Sequence, residues 1–158
     1  MKKALFPGSF DPITLAHVDI LQRALPLFDE VVVGIGLNST KQSFLSAEQR
    51  EEMVRLVYKD VPKVKVAAYQ GLTVDYCKQI GAQYMIRGIR STLDFEYEKA
   101  IAQMNHAMHP DIESIIILSK PGFSAISSTI VRDILRNGGN IDQFVPKAVA
   151  EILKQANK

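Results

Sequence analysis

The sequence predicts an α/β protein: a doubly wound, five-stranded parallel sheet with helices on both faces, in a single domain. Three observations carry that expectation. Short apolar runs rich in β-branched residues alternate with amphipathic stretches from one end of the chain to the other. The connections are short, with no linker, repeat or low-complexity segment. Strand–helix–strand alternation favours parallel pairing, with the crossover helices covering the sheet. At 158 residues the chain fits one domain, and such a domain buries about 70% of its unfolded surface.

Taken in order, residues 3–6 form a short buried strand that opens directly into Pro7-Gly8. Thr14 caps a helix running to about Leu25, with Leu15, Val18, Leu21 and Leu25 on one face. Residues 31–35 are nearly continuous in β-branched side chains, the pattern of a strand buried on both faces. Ser46-Ala47-Glu48-Gln49 is a capping box, and its helix runs to about Val57. Residues 64–68, 84–86 and 115–118 read as three further strands. Helices are expected at about 73–80, 93–108, 127–136 and 146–155, the third of them closed by Gly138-Gly139. In such sheets ligands bind beyond the carboxyl ends of the strands, which directs attention to residues 7–14, 37–45, 69–72, 87–92 and 119–128.

Composition narrows the function classes. The chain is 47% hydrophobic and 23% charged with a net charge of +2, an ordinary soluble balance without the clustered basic face of a nucleic-acid binder. The single cysteine, Cys77, excludes an intrachain disulfide and reads as a half-buried helical thiol. Ala4-Leu5-Phe6 ends at Pro7, short of the ~7–15 apolar residues of a signal peptide. No run approaches the ~20 apolar residues of a membrane span. A cytoplasmic protein with neither nucleic-acid nor membrane partners is therefore expected. Walker A, GxSxG and HExxH patterns are missing. Gly34-Ile35-Gly36-Leu37-Asn38-Ser39 only approaches a dinucleotide fingerprint and reads as a strand end. His106 and His109 lie three apart at a helix end with no ligand partner in the local sequence, so no metal site is expected there.

The first strand–helix junction is more telling. Pro7-Gly8-Ser9-Phe10-Asp11-Pro12 sets two prolines, a glycine and small polar residues just before a helix. Gly8 admits a close backbone approach, Ser9 offers an N–H and a hydroxyl to phosphate, and Asp11 is held extended by the proline that follows. A rigid turn alone is the other reading. His17 falls at the third helical position after Thr14, where the helix dipole lowers its pKa yet suits a bound anion. There it can donate to a phosphoryl oxygen; a surface histidine is the alternative.

Positive charge recurs at the other strand ends: Lys41 after the second strand, and Arg87 and Arg90 around Gly88-Ile89 after the fourth. Guanidinium groups clamp phosphate in two-pronged fashion, whereas lysine acts as a point charge. Phe123-Ser124-Ala125-Ile126-Ser127-Ser128-Thr129 leads into a helix with more hydroxyls than one cap uses. That is a second anion site or a redundant cap. Asp94, Glu96 and Glu98 fit a solvated helix face, though Glu98 has a second reading below.

Gly8-Ser9-Phe10-Asp11-Pro12, Thr14-Leu15-Ala16-His17 and Ile126-Ser127-Ser128-Thr129-Ile130-Val131-Arg132 resemble the signatures of the nucleotidylyltransferase superfamily. Within it, the chain is similar over essentially its whole length to the bacterial phosphopantetheine adenylyltransferases. Ile86-Arg87-Gly88-Ile89-Arg90, Asp94-Phe95-Glu96-Tyr97-Glu98 and Met104-Asn105 select that family. The resemblance implies a Rossmann-like fold for a single nucleotidylyltransferase domain, residues 1–158. It also implies a reaction: ATP and 4′-phosphopantetheine give dephospho-coenzyme A and pyrophosphate.

By the same resemblance, Ser9, Phe10, Gly88, Ile89, Arg90, Glu98 and residues 123–129 (Phe123, Ser124, Ala125, Ile126, Ser127, Ser128, Thr129) match nucleotide-binding positions. Ser9, Lys41, Leu72, Thr73, Arg87 and Asn105 match acceptor-binding positions. His17 matches the transition-state-stabilising residue that also contacts the nucleotide. The family implies Mg2+ carried mainly on the ATP phosphates, a homohexamer, and coenzyme A as a candidate feedback ligand. Where the family usually has glycine before this histidine, the chain has Ala16, which puts a methyl group beside the nucleotide. The rivals are a transferase for another acceptor, such as nicotinate mononucleotide, and a nucleotide-binding module without catalysis.

Overall fold

β1 (Lys3–Gly8) is the central strand of a five-stranded sheet, pairing in parallel with β2 (Glu30–Gly36) on one side and β4 (Tyr84–Ile89) on the other. The computed structural model describes residues 1–37 and 42–156. Edge strands β3 (Val64–Tyr69) and β5 (Glu113–Leu118) complete the order β3-β2-β1-β4-β5, parallel throughout. The chain winds outward from β1 to β3 and then returns to lay β4 beside β1. The crevice between the carboxyl ends of β1 and β4 is thus the point where winding reverses, the place such sheets use for ligands.

Side chains alternate across the pleat. Ala4 and Phe6 join Val31, Val33 and Ile35 on one face, while Leu5 and Val32 point to the other. The first face is covered by α1 (Leu15–Ala24), α2 (Ala47–Val57), α5 (Ser128–Arg136) and α6 (Lys147–Ala156), which supply Leu21, Met53, Val131 and Val149. On the second face α3 (Thr73–Gln79) contributes Val74 and Cys77. Cys77 is fully buried rather than half-buried, and burial pushes its thiol up to about 11, so it is inert packing. Gly138 ends α5 with a positive φ of 71°, as its sequence position suggests.

Two strands outrun their expected carboxyl ends by two residues or more. β1 continues through Pro7-Gly8, registered with Gly34 and Ile35 of β2, and β4 continues through Arg87-Gly88-Ile89. β1 meets β4 only at Ala4–Tyr84 and Leu5–Met85. The N–H that Pro7 lacks therefore falls where those two strands have already parted. The parting opens the crevice, and it places Arg87 on a strand, more rigidly than a loop would.

The helix α4 (Thr92–Met108) inverts ordinary amphipathicity. Its buried residues are Glu98 and Asn105, whereas Leu93, Tyr97 and Met104 are 83%, 66% and 63% exposed. Of these inward polar residues Glu98 reaches the crevice, while Asn105 packs against Met85. No described helix is long and apolar enough to cross a membrane.

Candidate active site at the carboxyl ends of β1 and β4

The turn after β1 is held by its own Asp11 side chain and by three side chains from α2 and α5. The Asp11 carboxylate accepts hydrogen bonds from the backbone N–H groups of Phe44 and Leu45, both at 2.8 Å. Arg50 of α2, only 4% exposed, donates to the Ser9 carbonyl at 2.9 Å and the Gly36 carbonyl at 3.3 Å. Arg132 of α5 donates to the Asp11 carbonyl at 2.9 Å, and the Ser128 hydroxyl to the Pro12 carbonyl at 2.8 Å. Each of these four carbonyls thus has a partner within the protein. The Asp11–Pro12 peptide is cis, and Phe10 adopts the left-handed region with φ 47°. That conformation is uncommon for a bulky residue. It sends the Phe10 ring into the core, under Gly8, where an added Cβ would lie 3.0 Å from the ring. Gly8 is therefore required by packing as well as by access.

His17 closes a capping box of an unusual kind. Thr14 caps α1 through its hydroxyl, and the backbone N–H of Thr14 donates to His17 Nδ1 at 3.0 Å. An Nδ1 that accepts carries no proton, so the neutral ring holds its proton on Nε2. The ring packs against Phe10, with centroids 4.9 Å apart, and Phe6 stands edge-on to it at 6.5 Å. Burial first, and then the positive charges of Arg87 and Arg90, together lower the imidazole pKa to about 4. Burial outweighs the helix dipole expected from position alone. What results is a neutral Nε2–H donor within the field of two guanidinium groups.

Arg87 and Glu98 form the other fixed pair. Arg87 Nε and Nη2 donate to the two carboxylate oxygens at 2.8 and 2.7 Å, and Nη1 donates to the Pro7 carbonyl at 3.3 Å. At 7% exposure Glu98 is no solvated helix-face residue; its carboxylate orients Arg87. Arg90 leans on Asp94, whose carboxylate accepts the Arg90 N–H at 3.1 Å, while its guanidinium donates to the Ile126 carbonyl at 3.3 Å.

Two open chambers share Pro7, Gly8, Arg87 and Tyr97. The first, about 350 Å³, is lined by His17, Arg90, Ile126, Ser127 and Ser128, with Gly88, Ile89 and Glu98 also on its wall. Ala16 contributes to that wall, so its methyl group is at the chamber surface. The second, about 630 Å³, lies on the other side of the β1 turn and is lined by Ser9, Gly36, Tyr69, Gly71 and Thr73. Of the residues expected from the sequence, His17, Gly88, Ile89, Arg90, Glu98, Ile126, Ser127 and Ser128 line the first chamber, Ser9 and Thr73 the second, and Arg87 both.

Some expected residues stand apart. Phe10, 2% exposed, can offer only its backbone. Phe123, Ser124, Ala125 and Thr129 line neither chamber. Ser124 donates to the Pro121 carbonyl at 3.0 Å, and Thr129 accepts from Arg132 at 3.1 Å. Ser127 caps α5, so all three hydroxyls at that helix start already have partners within the chain. Leu72 is 58% exposed, next to the chamber residues Gly71 and Thr73. Asn105 is buried with its amide 3.9 Å from Met85 Sδ. Lys41 lies outside the described residues. His109 does meet a carboxylate, Asp75 at 2.7 Å, which local spacing could not reveal. Among the described residues, no group of three or more His, Cys, Asp or Glu side chains is placed to hold a metal ion.

Arg50 carries no site signature in the sequence, and Asp94 and Tyr97, part of the segment that selects the family, gain a place on the chamber walls only in the fold. Arg50 sits mid-helix, where an arginine usually signals a solvated face, and only the packing of α2 against the ends of β1 and β2 makes it structural.

Residues 5–134 match the cytidylyltransferase-like family. A phosphopantetheine adenylyltransferase of Flavobacterium psychrophilum is 50% identical over 149 residues, 94% of this chain and 98% of that protein. One from Christiangramia forsetii is 52% identical over the same shares, and one from Lachnoclostridium phytofermentans is 42% identical over 97% of this chain and 94% of its own. A crystal structure from Vibrio parahaemolyticus, of a protein assigned as a nicotinate-nucleotide adenylyltransferase, superposes with a TM-score of 0.77 over 99% of this chain and 94% of that one. At 21% identity it speaks to the fold alone. With two chambers about one turn, and relatives this similar along nearly its whole length, the chain belongs to the cytidylyltransferase-like family and, within it, to the phosphopantetheine adenylyltransferases.

Proposed function

We propose that the protein transfers the adenylyl group of ATP to 4′-phosphopantetheine, giving dephospho-coenzyme A and pyrophosphate. The observation that carries this is the pair of chambers meeting at Gly8 and Arg87, one beside His17 and the other beside Thr73. ATP occupies the first chamber, with its phosphates toward the β1 turn, His17 and Arg90. The acceptor occupies the second, with its phosphate at Ser9 and Arg87. Lys41, Leu72 and Asn105 complete the acceptor contacts in this reading, and residues 123–129 complete those of the nucleotide.

A phosphate oxygen of the acceptor attacks the α-phosphorus in line, the bond to the β-phosphate oxygen breaks, and pyrophosphate leaves. The attacking phosphate is already ionised, so no side chain need remove a proton, and catalysis is positioning plus charge neutralisation. His17 donates its Nε2–H to an α-phosphate oxygen as charge grows there. Burial keeps that ring neutral, so the hydrogen bond costs no proton transfer. Mg2+ enters on the triphosphate, and when bound it neutralises phosphate charge. The outward apolar face of α4 supports a homo-oligomer, which we take to be a hexamer. Coenzyme A, which carries the product's structure, is the expected feedback ligand, and the cytoplasm is the expected location.

Pyrophosphate release with ATP and 4′-phosphopantetheine tests the assignment. Release with nicotinate mononucleotide but not with phosphopantetheine would move the enzyme to another acceptor, and ATP binding with no release from either would make it a binding module.

A further inference from the structure

The second chamber holds a side chain that neither the motifs nor the mechanism uses. Tyr69, the last residue of β3, lies flat across β2 at Gly34 and Gly36. A Cβ on Gly34 would come within 3.1 Å of its ring, and one on Gly36 within 3.4 Å of its hydroxyl. A Cβ on Gly34 would also come 2.7 Å from Leu5 Cδ1, so the glycine pair that resembles a broken dinucleotide fingerprint keeps β2 clear of Leu5 and of this ring together. Tyr76 of α3 stacks on the ring, with centroids 4.5 Å apart and planes 4° from parallel. The position is therefore over-determined. Tyr69 Oη comes 2.8 Å from Thr73 Oγ1, and both residues line the chamber.

Two hydroxyls in contact have two protons, and one is spent between them. The other O–H and the remaining lone pairs are left to face the chamber. We infer that Tyr69 and Thr73 act as one hydroxyl pair that recognises an amide of the acceptor's arm, making Tyr69 a specificity-determining residue. The inference rests on the acceptor reading above. A phosphopantetheine whose phosphate sits at Arg87 and Ser9 runs its amide-bearing arm along the same chamber wall that carries Tyr69, Gly71 and Thr73. A hydroxyl pair held rigidly at the side of the arm suits an extended amide, and a simple phosphate monoester would not use it.

The test is steady-state pyrophosphate release by the full chain, with Tyr69→Phe removing one oxygen and leaving the stack intact. The acceptor KM should rise by about three- to tenfold, the cost of one hydrogen bond, while kcat and the ATP KM stay within about twofold. Thr73→Val should shift the same constant. The double variant should be little worse than the more affected single, because the two hydroxyls act as a unit. An unchanged acceptor KM in Tyr69→Phe, or a shift in the ATP KM or kcat instead, overturns the inference while wild-type turnover leaves the acceptor assignment standing. A melting temperature lowered with all constants unchanged assigns the pair to the fold alone and overturns it as well. No wild-type release with 4′-phosphopantetheine overturns the acceptor assignment and this inference together.

Discussion

Glu98 grips Arg87 with both oxygens, at 2.8 and 2.7 Å, and so the arginine shared by the two chambers is aimed from the neighbouring helix. Because the carboxylate is 7% exposed and the guanidinium partly buried, the pair is screened less than a surface ion pair. Glu98→Gln keeps the shape and one acceptor oxygen but loses the charge and the second prong. kcat/KM for both substrates should fall by about tenfold or more. Stability in urea should fall by about 1–3 kcal/mol. A variant with normal kinetics for both substrates would show that Arg87 does not need this partner.

The His17 environment predicts a specific proton inventory. Thr14 N–H occupies Nδ1, so nitrogen-detected NMR of the free protein should report a neutral ring protonated at Nε2. Titration should leave it neutral down to about pH 5, since its pKa is lowered from 6.5 to about 4. A ring that titrates near 6.5 in the free protein, or that carries its proton on Nδ1, would remove the basis for a neutral donor.

The same shift makes stability depend on pH. Between pH 6.5 and 4 the unfolded chain binds a proton at this site and the folded chain does not, so acid favours unfolding. The contribution is fully present above about pH 6.5, is lost as pH falls toward 4, and changes no further below that. Its full size is about 3 kcal/mol. Subtracting the denaturation profile of His17→Gln from wild type should isolate a slope in that window; parallel profiles would contradict the burial argument.

Kinetically, His17→Ala should lower kcat by about tenfold or more while ATP affinity stays within a fewfold, the pattern of an interaction made chiefly in the transition state. A wild-type kcat in that variant would take His17 out of its role. A large loss of ATP binding with kcat retained would make it a ground-state contact.

The fold was largely legible because its signals are local. β-branched runs at residues 31–35, the Ser46–Gln49 box and Gly138 each act within one turn or strand, and each element forms where the sequence puts it. Strand ends were less legible. Pro7 suggests a stop, and it is tolerated in β1 only because β4 has diverged by that point, a relation between segments 80 residues apart in sequence. The site divided the same way. The Gly8–Pro12 turn and His17 carry local signatures, whereas Arg50 and the inward polar stripe of α4 gain their meaning from what lies across the sheet. Burial as the dominant influence on His17 was likewise invisible, since helix position is written in sequence and the packing of Phe6 and Phe10 is not.

Asp11 separates a rigid turn from a rigid turn built for a ligand. Its carboxylate accepts two backbone N–H groups, from Phe44 and Leu45, and it is 6% exposed. Asp11→Ala would leave both donors unmade in a place water hardly reaches, at a cost of about 2–4 kcal/mol. Asp11→Asn retains one acceptor oxygen and should cost roughly half that. If the turn served the fold alone, kinetic loss in Asp11→Asn would follow the fraction unfolded. The proposed role predicts more: in protein that is fully folded by circular dichroism, kcat/KM for ATP should fall by a further factor of about ten, because the N–H groups between Gly8 and Phe10 are aimed by this anchor. Folded Asp11→Asn with wild-type kcat/KM would return the turn to a purely structural part.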